Sequence, residues 1–200
     1  MNMHNLFPTP VGMIDLDRSL SKKELSFILK QDKRPNMGNK TSINYTLLKS
    51  APLTSLRSWL EDQVQEFFKI TVNPKQDVSL KITQSWANYS EPGQFHHKHE
   101  HPNSFISGIF YVQTNLSDKV YFFNDKYQQI KFTPENWNIW NSESWWYEAV
   151  AGRLILFPSS LTHMVPLVEG DQTRISISFN TFPVGIIGEE MNLTELKLEA

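Results

Sequence analysis

The sequence predicts a mainly β fold, a sandwich or jelly roll with helices on its N-terminal side. Three observations lead there. Short β-rich segments recur after Pro74, separated by clusters of Gly, Asn, Asp and Pro; no helical period falls between them; and the stretch ahead of them carries two helical patterns. In order, Ser21-Lys-Lys-Glu24 is a capping box, in which hydroxyl and carboxylate each accept a backbone N–H from the other residue. Leu20 and Leu25 sit where a hydrophobic staple would, and the helix is predicted to reach about Lys30, before the Asp32–Asn39 loop. A second helix is predicted from about Thr54 to Phe68, where Leu56, Leu60, Val64 and Phe67 recur at helical spacing. The predicted strands are Val78–Trp86, Phe105–Val112, Val120–Phe123, Tyr147–Val150, Arg153–Phe157, His163–Val168 and Arg174–Phe182. Two hundred residues suit one domain. Within it we read a helical lead-in (1–74), a jelly-roll core (75–183) and a C-terminal extension (184–200) with no assignable role.

Composition narrows the chemistry. There is no cysteine, so disulfides, thiolate metal sites and thiol nucleophiles are excluded. Any metal must sit on His, carboxylate or carbonyl ligands. The net charge is -2, with both signs dispersed, and no basic run argues for nucleic acid. No apolar run is long enough to span a bilayer. The start, Met1–Pro8, lacks the charged and apolar regions of a secretion signal, so a cytoplasmic protein is expected. The helical lead-in offers a surface for a homodimer.

The histidines carry most of the functional signal. Gly93-Gln-Phe-His-His-Lys-His-Glu-His101 is one stretch; Phe157-Pro-Ser-Ser-Leu-Thr-His163 is another. On an extended segment alternate residues point the same way, so His99 and His101 can present two imidazoles to one point while Glu100 faces elsewhere. His163, from a later segment, could complete a three-point metal site with open positions. His97 with His99 is the other pair the spacing allows. His96 and His97 stay ambiguous, and a solvent-exposed His-rich loop is the plain alternative for the quartet. Eleven residues after His163, Arg174-Ile-Ser-Ile-Ser-Phe sets Arg174, Ser176 and Ser178 on one face and Ile175, Ile177 and Phe179 on the other. A guanidinium facing inward needs a carboxylate, from the protein or from a ligand.

These residues resemble the 2-oxoglutarate- and Fe(II)-dependent dioxygenases, over roughly residues 84–182. The matching features are Gly93 six residues before His99, Ser107-Gly-Ile-Phe-Tyr111-Val-Gln113, Gly152-Arg-Leu-Ile-Leu-Phe-Pro158, His163-Met-Val-Pro166 and Arg174-Ile-Ser176. The run from His99 through Pro102-Asn-Ser104, together with Trp86-Ala-Asn88, is similar to uncharacterised oxygenases of bacteria and cyanophages, which implies a cytoplasmic protein, in the host cytoplasm if it is phage-encoded. The resemblance implies a double-stranded β-helix with flanking N-terminal helices, Fe(II) held by His99, His101 and His163, and 2-oxoglutarate as cosubstrate. It also implies that Arg174, assisted by Ser176, grips the far carboxylate of 2-oxoglutarate, with Tyr111 reaching the same group and Asn88 lining the pocket. Tyr111 reads equally well as a buried core aromatic. One departure stands out: His101 occupies the place of the family's acidic ligand, which raises the charge of the site by one.

The implied reaction is hydroxylation of a further substrate by O2, coupled to decarboxylation of 2-oxoglutarate to succinate. The substrate itself is not legible. The alternatives are a cupin-type three-His metalloenzyme that uses no keto acid and a non-catalytic jelly roll binding sugar or protein. Trp137-Asn-Ile-Trp140 and Trp145-Trp146-Tyr147 would suit sugar stacking, a lid at the substrate entrance, or core packing.

Overall fold

A computed structural model describes residues 1–124, 130 and 132–199. Two antiparallel sheets face each other, with two helices behind the larger one. In chain order the strands are β1 (Gly12–Asp15), β2 (Lys33–Pro35), β3 (Lys40–Ser42), β4 (Val78–Ser90), β5 (His96–His99), β6 (Ile106–Gln113), β7 (Lys119–Phe123), β8 (Ser144–Glu148), β9 (Arg153–Pro158), β10 (His163–Val165), β11 (Arg174–Ile187) and β12 (Leu196–Leu198). The helices are α1 (Lys22–Leu29) and α2 (Thr54–Thr71). The larger sheet runs β1-β9-β6-β11-β4-β3-β2, with β12 added to the end of β11; the smaller runs β5-β10-β7-β8. This is the jelly roll the sequence predicts.

The helical lead-in expected over 1–74 needs correction. It also supplies β1, β2 and β3, which pair with β9, with each other and with β4. Strands of three or four residues carry almost no periodicity of their own, and neighbouring sheet edges make them strands by supplying backbone partners. β4 runs on to Ser90 and β11 to Ile187, so part of the expected C-terminal extension is sheet. β8 lies a few residues earlier than expected, and β10 stops at Val165, before Pro166, which has no N–H for a ladder.

α1 keeps its predicted cap. Glu24 N–H donates to Ser21 Oγ, and Ser21 N–H donates to Glu24 Oε2. α2 begins at Thr54 as predicted and extends to Thr71; its buried row is Leu56, Leu60, Val64 and Phe68, with Phe67 only partly covered. Together with Ile28, these side chains cover one face of β4 and β11: Ala87 and Tyr89, Ile175, Ile177 and Phe179. The Tyr89 hydroxyl donates to the Ile28 carbonyl at 2.5 Å and ties α1 to the sheet. A separate cluster of Ile109, Tyr111, Val120, Phe122, Ala149, Ile155 and Phe157 fills the space between the sheets. Alternation along β6 thus sends Phe110 to the helices and Tyr111 inward. Among the described residues no helix is long and apolar enough to cross a membrane.

Two consequences can be measured. A Cβ on Gly108 would run into the ring of Phe179 across the β6–β11 pair. Gly108→Ala is expected to lower unfolding free energy by about 1–3 kcal/mol in urea titrations. The second concerns pH. Arg18 donates to both Glu24 carboxylate oxygens, and with Ser21 N–H this holds the carboxyl down at about 2 against its burial. A depressed carboxylate stabilises the fold above its unfolded range and loses that contribution as pH falls through its folded value. Arg18 is partly exposed, so solvent screens the pair. Glu24→Gln is expected to cost about 1 kcal/mol at pH 7, and the two proteins should converge in stability between about pH 4.5 and 2.

Candidate metal centre and its two cavities

The β5–β10 and β4–β11 pairings bring the predicted residues together. His163 on β10 stands directly opposite His99 on β5. His101 lies just past the end of β5, where its N–H donates to the Ser159 carbonyl at 2.9 Å and draws it toward the β9–β10 turn. The three rings form a tight group, with centroid separations of 4.3 Å (His99–His163), 5.0 Å (His99–His101) and 5.1 Å (His101–His163). Their candidate ligand atoms lie within 4.8 Å of one another, which is the spacing an ion needs to bind all three. Glu100, between two of them, is exposed, as alternation predicts.

Backbone carbonyls set the tautomers. His99 Nδ1 lies 2.7 Å from the His97 carbonyl and His163 Nδ1 lies 3.0 Å from the Leu161 carbonyl. A carbonyl can only accept, so both Nδ1 atoms carry the proton and both Nε2 lone pairs are bare. Burial pushes His163 well below its ordinary pKa, His101 down to about 4, and His99 downward against its bond to His97. These imidazoles are therefore neutral near pH 7, the form that ligates metal.

A second group, His96, His97 and His99, also satisfies the spacing for an ion. A bulge between β5 and β10 makes it: His99 pairs with His163 and His96 with Val165, so the stretch between them is out of register. His96 Nε2 is within 3.4 Å of the Asn36 side-chain nitrogen, a donor, so that lone pair already has a partner.

Two cavities meet at these histidines. The inner one is narrow and lined by His99, His101, His163, Asn88, Ser176 and Arg174, among others. The register explains the polar wall: Arg174, Ser176 and Ser178 stand opposite Ser90, Asn88 and Trp86. Asn88 donates to Ser178 Oγ at 2.9 Å and accepts from Trp86 Nε1 at 3.2 Å, so its amide braces the wall. The outer cavity is wider, about 480 Å³, and shares Trp86, His96, His99 and His101 with the inner one.

Arg174 is buried and poorly satisfied. Among the described residues its Nε and Nη2 have no hydrogen-bond partner, and neither has the hydroxyl of the fully buried Tyr111, whose ring lies 5.2 Å from the guanidinium carbon. Burial raises the Tyr111 pKa, with Arg174 opposing, so the phenol keeps its proton and can donate. Buried Asp118 approaches Arg174 Nε at 4.0 Å, close enough to offset charge but too long for a hydrogen bond. Asp118 was not among the expected site residues; its one sequence signal is the need of an inward Arg for an acid. Of these three buried donors, those of Arg174 belong to the wall of the inner cavity with the neutral imidazoles, while Tyr111 lies behind that wall; the guanidinium fits a carboxylate ligand held next to a metal.

The chain is similar to known oxygenases in part of its sequence and in its fold. A family model described as "Putative 2OG-Fe(II) oxygenase" matches residues 84–180. Over this stretch, a little under half of its length, the chain is similar to the 2OG-Fe(II) oxygenases. It is an oxidoreductase of the kind that uses Fe(II), 2-oxoglutarate and O2 on a further substrate. The fold is similar to that of HygX from Streptomyces hygroscopicus with nickel, 2-oxoglutarate and hygromycin B bound, at 12% identity and a TM-score of 0.59, over 86% of this chain and 82% of that one. It is also similar to a Trichoplax adhaerens prolyl hydroxylase in complex with a hypoxia inducible factor peptide (14% identity, TM-score 0.58, 86% and 83% covered). A Pseudomonas putida prolyl-4-hydroxylase gives 13% identity and a TM-score of 0.55, over 86% and 92%. No curated protein matches the sequence.

The aromatic segment stays apart from the two cavities. Trp137, Trp140, Trp145 and Trp146 are exposed, and none lines either cavity. The entrance-lid reading therefore finds no support in the cavity walls. What sequence reading missed is the contribution of the lead-in: Arg34, Asn36, Thr41 and Tyr45 wall the outer cavity.

The poorly satisfied Arg174 should weigh on stability. Replacing a buried ion pair by neutral side chains of similar size is often neutral or stabilising by about 1–4 kcal/mol, provided the Asn115 N–H keeps the acceptor that Asp118 gives it at 2.8 Å. The double variant Arg174→Met/Asp118→Asn, which keeps a side-chain oxygen for Asn115 N–H, is expected to raise the urea midpoint of the metal-free protein with little change in slope.

Proposed function

We propose that His99, His101 and His163 hold Fe(II), that Arg174 with Ser176 and Tyr111 receives the far carboxylate of 2-oxoglutarate, and that the enzyme hydroxylates a substrate admitted through the outer cavity. The observation that carries this reading is the pair of donors without acceptors on Arg174, in one cavity wall with three convergent imidazoles. When bound, Fe(II) and 2-oxoglutarate supply oxygen activation: 2-oxoglutarate loses CO2 to become succinate, and one oxygen atom of O2 enters the substrate as a hydroxyl.

The chain's own residues bind, orient and exclude water. The backbone carbonyls of His97 and Leu161 keep two imidazoles turned with Nε2 inward. Arg174 offers a forked pair of donors to a carboxylate, with Tyr111 behind the cavity wall. Asp118 holds the guanidinium from behind without filling its donor positions. Asn88, braced between Trp86 and Ser178, is a wall residue of the cosubstrate cavity. Ile109 and Val165 close that cavity with apolar surface, which keeps the local dielectric low and strengthens each charged contact. Three imidazoles without a carboxylate leave the full charge of the metal ion to be offset by the incoming diacid.

Anaerobic titration with Fe(II) and then 2-oxoglutarate tests the assignment through the visible metal-to-ligand charge-transfer band. Wild type is expected to develop the band, and His163→Ala and His101→Ala to lose it, while His97→Ala retains it. Arg174→Gln should still bind metal, with 2-oxoglutarate affinity lowered about 10- to 100-fold, the worth of a charge-assisted hydrogen-bond pair. A wild type without the band, or its persistence in His163→Ala, overturns the reading. Turnover that needs no 2-oxoglutarate would favour the cupin-type alternative.

A further inference from the structure

The outer cavity has a chemical character of its own. Its volume of about 480 Å³ suits a small molecule. Much of its wall comes from outside the family-matched stretch: Arg34 and Pro35 from β2, Asn36, Thr41 from β3, and Tyr45. The β2–β3 turn is clamped in place where Phe95 N–H donates to the Gly38 carbonyl at 3.1 Å. Gly38 has φ +90°, and a Cβ there would press on the Phe95 carbonyl, so that close approach requires glycine.

Among the described residues no Asp or Glu lines this cavity, and Arg34 is its one formally charged side chain. Among the described residues Arg34 has no ion pair and no hydrogen-bonded partner, so its guanidinium is available to a ligand. Tyr45 is 61% exposed at the rim, and Trp86 forms part of the wall shared with the inner cavity. Charge bookkeeping at the proposed metal points the same way. With His101 in the place of an acid, a dipositive ion on three neutral imidazoles and a bound dianion cancel. A carboxylate ligand would leave that centre negative and repel an incoming anion.

Building on the proposed Fe(II) and 2-oxoglutarate sites, we propose that the outer cavity is the substrate site and takes a small planar anion. Its carboxylate or phosphate group pairs with Arg34, and its flat body lies against Tyr45 and Trp86. A guanidinium fork matches either oxyanion, and an exposed phenol and an indole present faces to a flat group. The absence of any acid from the wall disfavours amines and other cations, so selection works by repulsion as well as attraction.

The test uses the protein loaded anaerobically with Fe(II) and 2-oxoglutarate, with the charge-transfer band as the check on loading. Benzoate, phenyl phosphate and benzamide are titrated by calorimetry while the band is watched for a shift. At least one of the two anions is expected to bind ten times or more tightly than neutral benzamide, with the advantage shrinking as salt is raised. Their ranking tells carboxylate from phosphate. Arg34→Gln should remove the preference and Arg34→Lys retain part of it, while Lys75→Gln, beyond the other end of β4, leaves it intact. A normal band with equal binding of all three probes, or a preference that survives in Arg34→Gln, overturns this proposal alone. Absence of the band means that the metal and cosubstrate assignment has failed, and the proposal falls with it.

Discussion

The structure depends on the register between β4 and β11. Arg174, Ser176 and Ser178 face Ser90, Asn88 and Trp86 across the pair, while Ile175 and Ile177 face Tyr89 and Ala87. Because side chains alternate with period two, a slip of one residue would exchange those faces. Arg174 would then enter the helix-covered core, and the isoleucines would line the inner cavity. Both faces of this part of β11 are buried, so neither mistake could be relieved by solvent. The apolar packing of α1 and α2 on one face is thus what holds a charged residue in place on the other.

That arrangement carries a tension between stability and function. Among the described residues, two guanidinium nitrogens and a phenol are buried without acceptors, and each such group is unfavourable by about 1–3 kcal/mol. Asp118 relieves the charge of Arg174 and leaves its hydrogen bonds open. The histidines carry a similar load, since burial keeps them uncharged and ready to ligate. A fold optimised for stability alone would have no reason to gather these groups between two sheets. A ligand bearing a carboxylate beside a metal ion satisfies the guanidinium and the imidazoles together.

Much of the centre was legible in the chain because its parts are local patterns. The capping box at Ser21 and the leucine row from Leu56 to Val64 depend on spacing within one segment, and both helices form where that spacing places them. The same holds for His99 and His101 around an outward Glu100, and for the alternation from Arg174 to Phe179. Legibility failed where one segment is defined by another. β1, β2 and β3 are strands because sheet edges lie beside them. Phe67 looked like the next member of the α2 row, yet Phe68 is the one that packs fully. Asp118 comes from a turn 56 residues before the arginine it faces in space, and nothing in its local sequence points there.

What the sequence by itself determined is the inventory and its short-range geometry: imidazoles without thiols, a strand with one charged and one apolar face, helices with a single buried stripe. Spacing along a chain controls direction within a segment, and that is enough to name candidates. Convergence belonged to the tertiary structure. Pairing β10 with β5 set His163 opposite His99, and the bulge there brought His96 and His97 into the same neighbourhood. The β2–β3 hairpin carried Arg34 to the mouth of the site from a stretch that had read as loop. Those positions follow from backbone hydrogen bonds and packing between distant segments, interactions whose energies exist only once the sheets have closed.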